Sequence, residues 1–347
     1  MDQISRDDII DLYYYEEPDG ASKRHRAAVA YVGTSQCVQL EGTDLGPWVG
    51  ELAKHIASNC PPHGDFRFEH EGTHWRGVKD HSNGTVNVAL RRLPQQAPQL
   101  EALAIARPVR TILLHPWLND GGLVLFAGLT GQGKTTTASA TLCSRLQLFG
   151  GRAVAVEDVS EIPMEGTWGG GTCRQIAVDY LSAREHDRGF AGAVRRAYRS
   201  MPASRPAILY IGEVRDTETA AEVVKAASNG MLVITTVHAG DPAGAILRVV
   251  SLAEQSMGDT AAVSVAQALR LVVHQSLSFA KSSDGWGRGH YEAIVLASDG
   301  ASHPVANHIR KGTFPNMREV WTQQNIRIKN CRAEPADGVL QALLGNK

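Results

Sequence analysis

Residues Gly128-Leu-Thr-Gly-Gln-Gly-Lys-Thr135 spell G-x-x-x-x-G-K-[ST] in full, a spacing that lets backbone N–H groups wrap a phosphate chain. Gly128, Gly131 and Gly133 leave room for phosphate oxygens where a Cβ would intrude. Thr130, Gln132 and Thr136 complete the expected nucleotide-binding set. Lys134 is placed to reach the β- and γ-phosphates as a point charge, and the Thr135 hydroxyl to ligate Mg²⁺. No guanine-specifying element stands out, so ATP is expected by elimination.

Hydrolysis also needs carboxylates, to hold the metal's waters and polarise the attacking one. The apolar run AILYIGEVRD ends in Glu213, Arg215 and Asp216, and Glu213 is the expected general base, with Asp216 an N-cap for TETAAEVV. The run RAVAVED leads into Glu157 and Asp158, with Glu161 three residues on. Glu157 and Asp158 are expected beside the metal with Thr135, and Glu157 and Glu161 among the catalytic acids. MLVITTVH ends in His238, whose imidazole is suited to bonding a γ-phosphate or the Glu213 region.

These groups can meet only if short strands carry them to one edge of a sheet. From Gly122 onward GLVLFAG, RAVAVED, AILYIGE and MLVITTV alternate with longer helical patterns, the mark of a parallel sheet covered by helices; ligands bind at the carboxyl ends of such strands. After Ser251 the spacing of apolar residues in AAVSVAQALRLVVHQSL predicts a helix. A strand at YEAIVLA and two short helices follow. Gly166–Thr172 (GTWGGGT) reads as a mobile surface turn. Residues 1–93, with strands at Ala27–Val32 and Thr85–Leu90 and a helix near Pro47–Ser58, read as a smaller α+β domain; 94–108 read as a linker and 109–347 as the α/β domain.

At roughly 100–200 residues per domain, 347 residues suit two domains. With 43% hydrophobic and 20% charged residues the chain is neither disordered nor fibrous. A net charge of −1 gives no general reason to coat nucleic acid, and no direct nucleic-acid contact is expected. Five cysteines without a C-x-x-C pair argue against disulfides and a zinc ribbon. No apolar run approaches the ~20 residues that span a bilayer, and the N-terminus lacks the order of a signal peptide; a soluble, cytoplasmic protein, at most peripheral to a membrane, is expected.

In order along the chain stand the phosphate loop, the acidic box EDVSEIP, GEVRD and the histidine box TTVHAGDPAGAILRV, with the arginine-bearing segments VALRRLP and VRRAYR. This set resembles the secretion and pilus ATPases that power type II and type IV secretion and type IV pilus extension or retraction, over roughly residues 75–312. The resemblance implies a RecA-like core with a PAS-like N-terminal domain, ATP and Mg²⁺, and a homo-oligomer, a hexameric ring at an inner-membrane secretion or pilus platform. GEVRD is similar to the family's atypical Walker B, with glutamate as the catalytic acid. The phosphate-reaching arginines it implies are Arg76, Arg91, Arg195 and Arg199.

Three features depart from the family pattern. Met201–Pro206 lacks the acids usual there, Val159 stands where a proline is usual, and the four-cysteine zinc motif of assembly-type enzymes is absent. VANHIRKG echoes the retraction branch only at Asn307, Ile309 and Arg310, which favours type IV secretion or conjugation over pilus retraction. A DNA-dependent RecA-type motor and a non-hydrolysing nucleotide switch are the competing readings; DNA-stimulated turnover would mark the first and binding without phosphate release the second.

Overall fold

A computed structural model of the chain describes residues 5–19, 22–32, 36–82, 84–180, 184–202, 206–282, 285–300, 302–331 and 335–345. It divides into two compact units. Residues 203–205 of the Met201–Pro206 stretch lie outside the described residues.

The first unit comprises residues 1–96 with 159–163 and 279–289. Its strands are β1 (Ile9–Asp19), β2 (Ser22–Val32), β3 (Gln36–Gln39), β4 (Gly64–His70), β5 (Thr73–Ser82) and β6 (Thr85–Arg92), with helix α1 (Gly46–Asn59) between β3 and β4. The sheet runs β3-β2-β1-β6-β5-β4 and is antiparallel throughout. Trp48, Val49, Leu52, Ala53 and Ile56 repeat at helical spacing along α1 and bury against Leu12, Tyr14, Trp75, Val88 and Leu90. Fully burying one such side chain contributes about 1.5–3 kcal/mol.

The second unit holds α2 (Arg107–Leu113), β7 (Gly122–Gly128), α3 (Lys134–Phe149), β8 (Gly151–Glu157), β9 (Gly166–Trp168), β10 (Gly171–Ala177), α4 (Gly189–Arg199), β11 (Ala207–Ile211), α5 (Thr217–Ser228), β12 (Leu232–His238), α6 (Pro242–Met257) and α7 (Thr260–Ala268). It closes with β13 (Leu269–Ser282), β14 (Gly285–Ala297), α8 (Pro304–Arg310), α9 (Met317–Asn330) and α10 (Ala336–Leu344), residues 279–289 excepted. Its sheet runs β14-β13-β7-β12-β11-β8-β10-β9. Every pair from β13 through β10 is parallel, the α/β core expected from the sequence. All seven residues of β7 are buried, as a strand covered on both faces requires. The edge strand β14 is sealed by two side-chain amides of α9. Gln324 exchanges hydrogen bonds with Ala297, and Asn325 with Val295.

Two expectations need correction. The helix expected through AAVSVAQALRLVVHQSL ends at Ala268, and the rest is β13, paired with β7 in parallel register. Leu271, Val272 and Val273 are all fully buried; apolar residues filling both faces of a strand also satisfy a three-and-four spacing, so periodicity could not separate the two. The turn expected at Gly166–Thr172 is a hairpin, with β9 antiparallel to β10 and β10 parallel to β8.

Candidate active site

Parallel register aligns the strand ends. His238 of β12 stands opposite Gly128 of β7, and Ile211 of β11 opposite both Val156 of β8 and Thr235 of β12. Pairing continues beyond β11: Gly212 N–H donates to Val156 O (2.9 Å), the Thr236 hydroxyl to Gly212 O (2.6 Å) and Val214 N–H to Thr236 O (3.2 Å). These bonds fix the backbone on either side of Glu213. The groups that follow β7, β8, β11 and β12 therefore share one edge, where doubly wound sheets bind ligands.

The phosphate loop joins β7 to α3. Gly133, at φ +76°, caps α3 in the left-handed region that a side-chain-bearing residue enters only under strain. Thr130 and Gly131 form the turn, and Thr135 and Thr136 sit in the first turn of α3. Lys134 is 6% exposed. Its Nζ donates to Leu129 O at 2.8 Å and lies 3.3 Å from His238 Nδ1. His238 Nε2 is 3.5 Å from Glu213 Oε1, and Glu213 Oε2 accepts from Arg215 Nε at 2.8 Å. Arg215 also lies 3.6 Å from Asp158, whose Oδ1 accepts from the Tyr180 hydroxyl at 2.7 Å. A single chain of contacts thus links cation, imidazole and carboxylates.

Its electrostatics follow from burial. Burial lowers the Lys134 pKa against the opposing pull of Glu213. His238 is lowered by burial first and by Lys134 second, so it is neutral near pH 7. An ammonium only donates, so Nδ1 is the acceptor and the ring proton sits on Nε2, facing Glu213. The bond to Glu213 raises Arg215, and Tyr180 is pushed up to about 12, by burial first and then by Asp158. The buried Lys134 ammonium is met by a carbonyl and an imidazole, and among the described residues no ion pair joins it to a carboxylate. Such a cation is matched to an incoming anion.

The structure brings together Lys134, His238, Glu213 and Asp158, and keeps other expected residues on separate partners. Glu157 is buried and accepts from Gln175 Nε2 at 2.7 Å. In the first unit Glu161 accepts from Arg76 at 2.5 Å; Arg76 also lies 3.3 Å from Asp65, and Arg91 donates to Asp11 at 2.7 Å. On α4, Arg195 donates to His186 O (2.5 Å) and lies 3.7 Å from Glu222, while Arg199 lies 3.3 Å from Asp187. Asp216 is the N-cap of α5, accepting from Thr219 N–H at 2.8 Å. Sequence reasoning gave no role to Arg215, Tyr180 or Gln175. Arg215 was detectable two residues beyond Glu213; nothing in spacing points to the other two.

Fold and site define an α/β phosphate-binding-loop protein with a carboxylate and a histidine at adjacent strand ends. Residues 65–313 match the family described as type II/IV secretion system protein, and the chain belongs to that family. It is 29% identical over 244 residues to the uncharacterized protein YggR of Escherichia coli (strain K12), covering 67% of this chain and 68% of that one. It is 28% identical over 245 residues to the type IV pilus ATPase PilU of Pseudomonas aeruginosa, covering 70% and 59%. Across its relatives the chain spans from about a quarter to about two thirds of their length. The solved structure of the pilus retraction motor PilT with bound ADP shares the fold, with a TM-score of 0.66 over 96% of this chain and 93% of that one at 21% identity.

Proposed function

We propose that the chain is an ATPase of a type II/IV secretion or pilus machine, binding ATP on the loop around Lys134 with Glu213 as general base. The observation that carries this is the contact chain Lys134–His238–Glu213 at the loop. In it, a buried cation that no carboxylate pairs with among the described residues stands near a carboxylate hydrogen-bonded by Arg215. When phosphate oxygens replace Leu129 O at Lys134 Nζ, the ammonium neutralises charge developing on the γ-phosphoryl. Glu213, tethered by Arg215, takes the proton of the attacking water, and His238 orients the carboxylate through Nε2–H.

Mg²⁺ would supply charge neutralisation to the bound phosphates. Among the described residues no set of three His, Cys, Asp or Glu side chains is arranged to hold a metal. The Thr135 hydroxyl is therefore the proposed protein ligand, with Asp158 and Glu157 acting through water. Arg76, Arg91, Arg195 and Arg199 serve the phosphates only by giving up their present partners. No helix among the described residues is long and apolar enough to cross a membrane. A cytoplasmic hexameric ring docked on an inner-membrane platform is part of the same proposal, as is a type IV secretion or conjugation machine in preference to pilus retraction.

The test is phosphate release by the full chain and by E213Q, with nucleotide binding measured beside it. E213Q is expected to bind ATP as the wild type does and to lose turnover by about 10²–10⁴-fold, the range of a general base. Undiminished hydrolysis by E213Q would overturn the assignment, and binding without hydrolysis by the wild type would leave a nucleotide switch.

A further inference from the structure

The phosphate loop is held from behind as well as shaped by its own glycines. Gln275 on β13 is 1% exposed, and its Nε2 donates to Gln132 O at 2.5 Å. Two residues along, Leu277 N–H donates to Gln132 Oε1. One stretch of β13 therefore grips both the main-chain and side-chain oxygens of Gln132. The approach is close: a Cβ on Gly128 would stand 2.5 Å from Gln275 O, and one on Gly133 3.4 Å from Gln275 Nε2. Glycine at these positions lets the loop lie against β13.

The peptide joining Gln132 to Gly133 is planar, and in the trans form its C=O and N–H point opposite ways. With the carbonyl fixed toward Gln275, the Gly133 N–H is aimed away from β13. We propose that Gln275 is a positioning residue of the nucleotide site, holding the 132–133 peptide so that the Gly133 N–H is turned to receive phosphate before nucleotide arrives. The inference rests on the reading of the loop as a triphosphate site. Preorganised donors bind without the cost of ordering them at the moment of contact, so the effect falls on nucleotide affinity and leaves the chemical step alone.

The experiment compares full-length wild type, Q275L, Q275E and Q132A by titration with a fluorescent ADP analogue and by steady-state ATP hydrolysis. Q275L, which keeps the bulk and loses the donor, is expected to raise the Kd and KM for nucleotide about tenfold while kcat at saturation stays within about threefold, one buried hydrogen bond's effect on binding. Q132A, which removes the side-chain tether alone, is expected to weaken binding by a smaller factor in the same direction. Q275E is expected to match Q275L at pH 8 and to regain affinity relative to wild type at pH 5.5, where a protonated carboxyl donates to Gln132 O. A folded Q275L that binds within twofold of wild type overturns the inference; if Q275L does not fold, wild-type affinity in Q132A together with a pH-independent Q275E does so. A wild-type chain that binds no nucleotide overturns this inference and the site reading together, whereas tight wild-type binding with unaltered variants overturns this inference alone.

Discussion

Two regions of the molecule gather positive charge, and they treat it differently. Across the first unit's sheet Arg67, Arg76 and Arg91 stand side by side in the strand register, followed by Asp11. Arg76 and Arg91 there have carboxylate partners in reach: Asp65 and Glu161 for the former, Asp11 for the latter. At the strand ends of the second unit, Lys134 is nearly inaccessible, yet its partners are a carbonyl and a neutral imidazole. A charge already paired in partial solvent stabilises little. A buried charge without a counter-ion is unfavourable unless a ligand completes it. The difference, more than the count of basic residues, marks where an anion belongs.

The largest effect that tests this contrast is expected at Lys134. K134A should reduce hydrolysis by on the order of 10²–10³-fold, the scale for removing one preorganised group from a developing negative charge. Nucleotide titration should show weakened binding; if K134A hydrolysed like wild type, the contrast would have no functional meaning. Next comes Q175L, which removes a donor from the buried Glu157 carboxylate and the acceptor of the Met164 and Glu165 N–H groups, and is expected to cost about 1–3 kcal/mol in denaturant unfolding. An unchanged midpoint would show that none of these three bonds contributes to stability.

The pH dependence should be smaller and shared. Burial holds His238, His274 and His303 below the ordinary histidine value. As pH falls through that ordinary value, near 6.5, the unfolded chain takes up protons that the folded chain refuses, so stability declines toward acid and is full above the window. H238L should make the fall in Tm between pH 7 and pH 5 shallower than in wild type; an identical slope would remove His238 from that set. The smallest effect is expected from the exposed ladder. A double-mutant cycle of R91A and D11A should return a coupling of about 0.2–1 kcal/mol, and a larger value would erase the distinction between the two regions.

Much of this was legible in the sequence for identifiable reasons. The strands β7, β8 and β12 are short apolar runs that end in glycine, acid and histidine, β11 stops two residues before Glu213, and the loop motif is complete, so the meeting of these groups at one sheet edge followed from local pattern. Asp216 read as a cap because its side chain serves an N–H three residues away. Partners set by tertiary approach were not legible. Gln275 meets Gln132 across 143 residues of chain, and Lys134 meets His238 across 104; spacing carries no information at that range. The boundary between α7 and β13 was hidden for a different reason. An apolar run buried on both faces fits helix and strand alike, and the choice is made by β7 alongside it.

A crystal structure of the full chain with a non-hydrolysable ATP analogue and Mg²⁺ would decide whether Lys134 and Glu213 meet a triphosphate. Expected there are the terminal phosphate within hydrogen-bond distance of Lys134 Nζ, the bond from Lys134 to Leu129 O broken, and the Glu213 carboxylate facing the phosphorus across a water. A nucleotide bound elsewhere, or one that leaves Lys134 on Leu129 and Glu213 remote from the γ-phosphate, would contradict it.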